Sequence, residues 1–413
     1  MLSSSNTPVS TADLHEHGAV SAAPLPEWRT APPQHKVKKM VEQPSGVAAA
    51  DERVQRQSAL RRAFVRPELG AMTGTVLVFV YFAIVAGGTG MFAADGIMNW
   101  GVVSAQFVII AVGACLLMIA GEFDLSVGSM IGFAGIVIAL LSVHLGWPMW
   151  ASIIAAFIVA MLIGMANGYL VIKTGLPSFI VTLASLYILR GLTIYFSIAT
   201  TRQTIISGVR EAAEGDWLAP LFGGKILGFF FVWLADMGLI STFTAGNRAG
   251  QPVVDGIPML MVWALALIIF GHILLTRTRF GNWIYAAGGD AKAARYVGVP
   301  VNRVKIAMFV FSAFCATVFA TCQVMEFGSA AADRGLLKEF EAIIAVVIGG
   351  ALLTGGYGSV IGAALGALIF GVVQQGLFFA GVESSLFRVF LGVILLFAVI
   401  LNTYIRRLIT GER

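Results

Sequence analysis

Residues 101–120, GVVSAQFVIIAVGACLLMIA, carry no charge, and runs of this kind recur along the whole chain. About 20 apolar residues match the hydrocarbon core of a bilayer. Inside that core a backbone can bond only to itself, so each run reads as a membrane-spanning helix. The runs are apolar on all sides, which excludes the alternating strands of a membrane barrel. Over 413 residues, 58% are hydrophobic and 12% are charged, about half the charged share of a soluble domain. The fold class expected is all-α, a polytopic membrane protein with about ten transmembrane helices. The spans fall at 71–88, 102–120, 126–143, 148–172, 177–198, 258–276, 304–324, 340–353, 358–379 and 385–405. The eighth is short for a full crossing and reads as a broken or re-entrant element.

Basic residues mark the cytoplasmic side of such a chain. With ten spans and the N-terminus inside, Lys173 follows span four, and Arg277, Arg279, Lys292, Arg295, Arg303 and Lys305 follow span six against a lone Asp290. Arg406, Arg407 and Arg413 close the chain on the same side. Residues 199–257, on the opposite side, hold four basic and five acidic residues. The expectation is therefore both termini cytoplasmic, an external insertion over about 199–257 and a basic cytoplasmic loop over about 277–305. Within the insertion, ILGFFFVWLADMGLI (226–240) is apolar enough to enter the membrane; a full crossing there would invert every later loop, so it is read as interfacial. The transmembrane domain spans 67–408, and 409–413 is a short cytoplasmic end. Residues 1–66 are rich in Ser, Ala, Pro and charge, with no apolar signal-peptide core, and read as a disordered cytoplasmic tail. Its last part, RVQRQSALRRAFVR (53–66), has five Arg and no acid. It reads as an anchor for the first span or as an amphipathic helix on the inner leaflet. The net charge of +5 marks membrane sidedness and implies no nucleic-acid partner.

Catalytic chemistry finds little support. Cys115, Cys315 and Cys322 lie in or beside apolar runs without metal-ligand spacing. His15, His17, His35, His144 and His272 form neither a metal site nor a triad. No Gly-x-x-x-x-Gly-Lys-[Ser/Thr] motif occurs; the nearest fragment is GGKI at 223–226. The chain is expected to be no enzyme and to hold no cofactor. Any ATP and magnesium would be bound by another polypeptide.

Between two charge-free runs sits GEFDLSVGSM, residues 121–130. Here Glu122, Asp124, Ser126 and Gly128 form a helix junction expected near the inner surface. Asp124 precedes a helix, where a carboxylate can accept from free N–H groups and offset the dipole. The alternative is a polar element beside a translocation path.

EFDLSVGSMIG resembles the Asp-Leu-Ser-Val-Gly signature of the permease subunits of bacterial ABC importers for ribose, xylose and related monosaccharides. Three further stretches are similar to that family in the same order: LPSFIVTLASLYILRG (176–191), RTRFGNWIYAAGGDAKAARYVGVPVNRVKI (277–306) and EFEAIIAVVIGGALLTGGYGSVIGAALGALIFG (339–371). The resemblance covers about 71–408, and HLGWP with a long insertion after span five looks nearest to the xylose-type members. Glu122 and Phe123 depart from the Gly or Ala and Ile or Val common ahead of the Asp, and the polar tail is longer than usual.

The resemblance implies a non-catalytic permease of the bacterial inner membrane, working with an ABC ATPase subunit, a periplasmic sugar-binding protein and a second permease copy, in contact with lipid. GGDAKAARYVGVP reads as a short helix with Asp290 as N-cap and Gly298 as stop. By resemblance it is the coupling helix, with Gly289, Asp290, Lys292, Arg295, Tyr296 and Gly298 at the ATPase; a solvated basic loop is the alternative. Asp333, Arg334 and Lys338 are candidates for docking the binding protein, or belong to an ordinary solvated loop. Gln106, Asn167, Thr182, Arg190, Gln374 and Gln375 are candidates for the translocation path, because amides and hydroxyls suit a neutral polyol. They equally suit interhelical bonding. Arg190, the only charge found deep in a span, either snorkels outward or pairs inside. Gly358, Gly362 and Gly366 form a small-residue face. Rival readings are a nucleoside or other small polar metabolite as cargo, an ion-coupled transporter and a membrane-embedded enzyme.

Overall fold

The computed structural model describes residues 67–244 and 249–383, with scattered helical positions between 386 and 400. The expectations for 1–66 and 409–413, and most of the tenth span, lie outside the described residues. Helix α1 is Pro67–Val85, α2 is Ala94–Ile119 and α3 is Val127–Ala139, which continues as a π-helix over Leu140–His144. Next come α4 (Met149–Thr174) and α5 (Ser178–Thr201). The insertion holds β1 (Ile205–Ser207), α6 (Val209–Ala212), α7 (Pro220–Gly223), β2 (Lys225–Ile226), α8 (Gly228–Asp236) and β3 (Ile257–Pro258). After it run α9 (Met259–Arg277), α10 (Arg279–Gly289), α11 (Ala291–Tyr296), α12 (Val301–Phe327), β4 (Ser329–Ala331), α13 (Lys338–Ile348) and α14 (Val360–Phe379). Among the described residues, seven helices are long and apolar enough to cross a membrane: α2, α3 with its π-turn, α4, α5, α9, α12 and α14.

Proline sets several starts. Pro148, Pro177, Pro258 and Pro300 each stand immediately before α4, α5, α9 and α12, where a missing N–H costs nothing. Two helices form the centre. Every residue of α2 from Phe107 to Ile119 is buried, and α12 is buried along most of its length. Around them α4, α5 and α9 leave Ile158, Leu162, Tyr187, Ile188, Leu265 and Ile269 exposed. An apolar belt of this kind is what lipid tails solvate.

The segment expected as the eighth span is built of two unlike parts. After α12 the chain turns at Gly328 and pairs β4 antiparallel with β1, Ile205 opposite Ala331. It then descends beside α3. Gly135 lies against Val324 and Ala330, Gly132 against Ala332 and Arg334, and Gly128 against Gly335 and Glu339. Only then does α13 begin, and its 11 residues cover about 16 Å. The loop after α13 reaches the opposite end of the bundle, where the Gly356 N–H donates to Ile119 O at 2.8 Å. Glycine makes the return into α14 possible: a Cβ on Gly366 would stand 2.0 Å from Ala345 O, and one on Gly362 2.2 Å from Gly349 O. The small-residue face thus packs on α13, although Gly358 itself lies just before α14.

The bundle therefore has an insertion end, carrying β1–β3 and α8, and a basic end, carrying α10 and α11. Helix α8 has nine residues, none of them buried. At about 13 Å it is too short to cross a bilayer.

Candidate functional site

The stretch 121–126 is non-helical backbone between α2 and α3, ending in a turn at Leu125 and Ser126. Gly121 has φ +82°, and a Cβ there would stand 3.2 Å from the Gly288 Cα of α10. Beyond it, Phe123 N–H donates to Ser178 Oγ and Leu125 N–H to Thr182 Oγ1, each at 3.0 Å. Ser178 and Thr182 stand one turn apart on the same face of α5, about 6 Å along the helix, and so meet alternate N–H groups of this segment. In the membrane these bonds replace the water that a free backbone would need.

Asp124 faces the other way. Its Oδ1 accepts from Ser126 N–H at 2.9 Å and from Ser126 Oγ at 2.5 Å, and its Oδ2 accepts from Ser312 Oγ at 3.0 Å. Asn167 Nδ2 donates to Ser126 Oγ at 3.1 Å, and Ser185 Oγ donates to Asn167 Oδ1 at 2.5 Å. Glu122 forms an ion pair with Lys305 at 2.5 Å, both side chains largely buried. Ser312 is the twelfth residue of α12, about 16 Å from its start. Asp124 thus lies well inside the bundle rather than near the inner surface. Nor is it the N-cap of α3: that position is Ser126, whose side chain does not cap. Asp124 instead closes a turn ahead of the helix, because its carboxylate is held by Ser126 and α12.

Across from it, Glu339 on the first turn of α13 is 4% exposed, with Oε2 lacking a hydrogen-bond partner. That oxygen lies 1.9 Å from where a Gly128 Cβ would be, so the carboxylate rests on the start of α3. Arg190 and Asp124, from other elements, act on it electrostatically. The full-length α3 and the 11-residue α13 thus present their N-termini, the positive ends of their dipoles, to one another inside the bundle, with the Asp124 and Glu339 carboxylates beside them. Arg190 donates to Ala332 O at 3.1 Å; it points inward onto the descending segment rather than snorkelling.

A model of the family described as branched-chain amino acid transport system / permease component matches residues 96–399, which include this junction, α3 and α13. The chain belongs to this permease family. The permease is similar to the xylose transport system permease protein XylH of Escherichia coli (strain K12), 34% identical over 325 residues, 72% of this chain and 82% of that one. It is 31% identical over 318 residues to XylH of Haemophilus influenzae, 71% of this chain and 85% of that one. It is also 30% identical over 292 residues to the autoinducer 2 import system permease protein LsrD of Salmonella typhimurium, with coverage of 71% and 78%. No solved structure matches it. With its apolar spans, the permease is a multi-pass inner-membrane protein.

Among the residues singled out from sequence, Glu122, Asp124, Ser126 and Gly128 join Asn167, Thr182 and Arg190 in one cluster. Asn167 and Thr182, expected along a path, are buried and spend their bonds on 121–126. They hold helices together. Ser178, Ser185, Lys305, Ser312 and Glu339 complete the cluster and were missed. The i, i+4 hydroxyls of α5 were a visible signal; Glu339 looked like part of a solvated loop.

Gln106 and Gln375 come together instead in a cleft of about 480 Å³ at the insertion end, with Asp95, Asn99, Lys225, Asp255 and Glu326. Gln374 lines a neighbouring cleft with Glu383 and Phe387. The outer docking candidates also change place. Arg334 donates to Ser329 O at 2.8 Å and lies 4.4 Å over the Phe327 ring. Lys338 pairs with Glu341 at 2.5 Å and sits over Phe107. Both are drawn inward by the descent of 328–337, and only Asp333 is fully exposed.

At the basic end, Asp290 Oδ1 accepts from Lys292 N–H and Ala293 N–H at 2.9 and 3.0 Å, which starts α11. Gly298, φ +85°, follows its end. Ala294 is the buried anchor of α11, while Tyr296 and Val297 are 92% and 79% exposed. Gly289 and Lys292 are exposed beside them, and Arg295 is tied back to Asn302 at 3.1 Å.

Proposed function

We propose that the permease is the membrane subunit of an ATP-driven importer for a monosaccharide or related polyol, a homodimer embedded in lipid with ten crossings per chain. The basic end faces the cytoplasm with both termini, as the asymmetry of Lys and Arg requires. A separate ATPase chain, binding ATP and magnesium, docks on α11, with Gly289, Asp290, Lys292, Arg295, Tyr296 and Gly298 in or beside the contact. A periplasmic binding protein delivers cargo to the insertion end, where Asp333 remains a contact. The xylose relatives support the cargo class.

One observation carries the reading: a capped six-residue helix that offers Tyr296 and Val297, almost bare, at the basic end. An aromatic and a branched apolar side chain on a short exposed helix suit a partner's cleft better than water. The route inward is short. Helix α12 starts five residues after α11, and its Lys305 is paired with Glu122. Displacement of α11 therefore pulls on the junction that joins α3, α5 and α12, a two-state packing biased from one end.

The test is gentle purification of the tagged permease from its own membrane, with mass spectrometry of bound proteins. An ATPase bearing the nucleotide motif should be recovered, and should be lost with Tyr296→Ser plus Val297→Ser. An ATPase retained by that variant overturns the docking assignment. Active permease repeatedly isolated without any ATPase overturns the importer reading. The buried Glu339, with the half-buried Asp124 and Arg190 near it, favours a second reading, ion-coupled uptake, since the sequence showed only Arg190 at such depth. Uptake abolished by collapsing the proton gradient while ATP is maintained would establish that alternative.

A further inference from the structure

The cleft at the insertion end has a composition of its own. Along α2, Asp95, Asn99 and Gln106 follow at four and seven residues, one face of a helix. Over those 11 residues the face runs about 16 Å into the bundle. Gln375 of α14 and Glu326 of α12 line the same cleft from the neighbouring helices. Met98, Val102, Val103 and Val254 supply apolar wall between them. Among the described residues, the side chains of Asn99, Gln106 and Gln375 take no hydrogen bond from the protein, unlike Asn167 and Thr182, which are fully engaged. Lys225 of β2 and Asp255, just ahead of β3, form a 2.5 Å ion pair, 48% and 54% exposed, in the lining. About 480 Å³ is within the range of small-molecule sites, roughly 300–1,000 Å³.

We propose that this cleft is a binding site for a neutral, unphosphorylated polyol, with Asn99, Gln106 and Gln375 as its hydrogen-bonding residues and the Lys225–Asp255 pair as its rim. The assignment rests on the importer reading and adds the site and the chemical class. Amides donate and accept at once, as a hydroxyl does. Carboxylates such as Asp95 and Glu326 accept from hydroxyl pairs, and the valines fit the C–H faces of a sugar ring. Asp95, Glu326 and Asp255 outnumber Lys225 in the lining, and that lysine is already paired with Asp255, so a phosphate meets a net negative surface. The insertion reaches the cleft through Lys225 and the segment 253–258, so part of the selectivity lies in the insertion.

The test uses cells carrying the full transport system. Native Cys115, Cys315 and Cys322 are buried, so Val103→Cys, or Val102→Cys should the first fail to assemble, gives one reactive thiol in the cleft for a membrane-impermeant maleimide. D-xylose, D-ribose and L-arabinose are each offered as protectant and as radiolabelled cargo, with D-ribose 5-phosphate as the charged analogue. The expected result is that a sugar that is imported slows labelling and the phosphate does not. Gln106→Leu and Gln375→Leu should each weaken that protection by about tenfold, the loss for one good hydrogen bond. An imported sugar that leaves labelling unchanged, with both variants importing at the wild-type rate, overturns the site while leaving the importer intact. Protection by the phosphate equal to that by the sugar overturns the neutral class. If wild-type cells import none of the three, the sugar reading fails first and this site falls with it.

Discussion

Gly128 shows how little room the junction leaves. A single methyl group there would meet Glu339 Oε2 at 1.9 Å and Gly335 O at 2.4 Å. Gly128→Ala should lower stability by about 1–3 kcal/mol, read as an earlier loss of the monodisperse peak on heating in detergent. Glu339→Gln keeps the shape and removes the charge at the start of α3, so transport should suffer more than folding. Glu122 and Lys305 act as a pair. Removing either partner leaves a largely buried charge, at a cost of about 2–3 kcal/mol after allowing for their residual exposure. The double variant Glu122→Gln/Lys305→Met should recover part of that loss in a double-mutant cycle. Strict additivity would show that the two do not interact. Tyr285 at the basic end donates to Gly358 O at 2.8 Å, and burial pushes its phenol from 10.0 up to about 12. The folded chain then holds this proton more tightly than the unfolded chain. The stability it contributes is complete below pH 10.0 and is lost as pH rises through about 12. Tyr285→Phe should flatten thermal stability across that window.

Two short elements carry the functional argument. Helix α11 depends on Asp290, whose carboxylate accepts from two N–H groups of its first turn. Asp290→Ala should cost about 1 kcal/mol locally and weaken ATPase retention, while Asp290→Ser should restore most of it. Helix α13 depends on the glycines of α14 beneath it. Gly366→Val should push α13 off that face and abolish transport while leaving α12 assembled, a difference that limited proteolysis would detect. Both elements were partly legible. The cap, body and glycine stop of α11 are local, and local signals survive without tertiary knowledge. The shortness of span eight was visible too, but not its construction, since only packing against α3 shows that 328–337 supplies the missing half.

At the scale of the molecule, sidedness is open to direct labelling. Glu214→Cys in the insertion should react with an impermeant maleimide on intact cells, and Lys292→Cys only after permeabilisation; the reverse would invert the topology. Membrane residence, helical class, the basic end and the family could all be read from the sequence. They follow from chain-local quantities: the length of apolar runs, the bias of Lys and Arg, and short ordered motifs. The tertiary structure decided which polar residues meet. Asn167 and Thr182 became bonds between elements, Gln106 and Gln375 came to line one cleft, and Arg334 and Lys338 turned inward. Sequence could not separate these roles, because a buried amide satisfied by a serine and one left open to a ligand are the same residue until a partner 40 or 270 positions away is placed beside it.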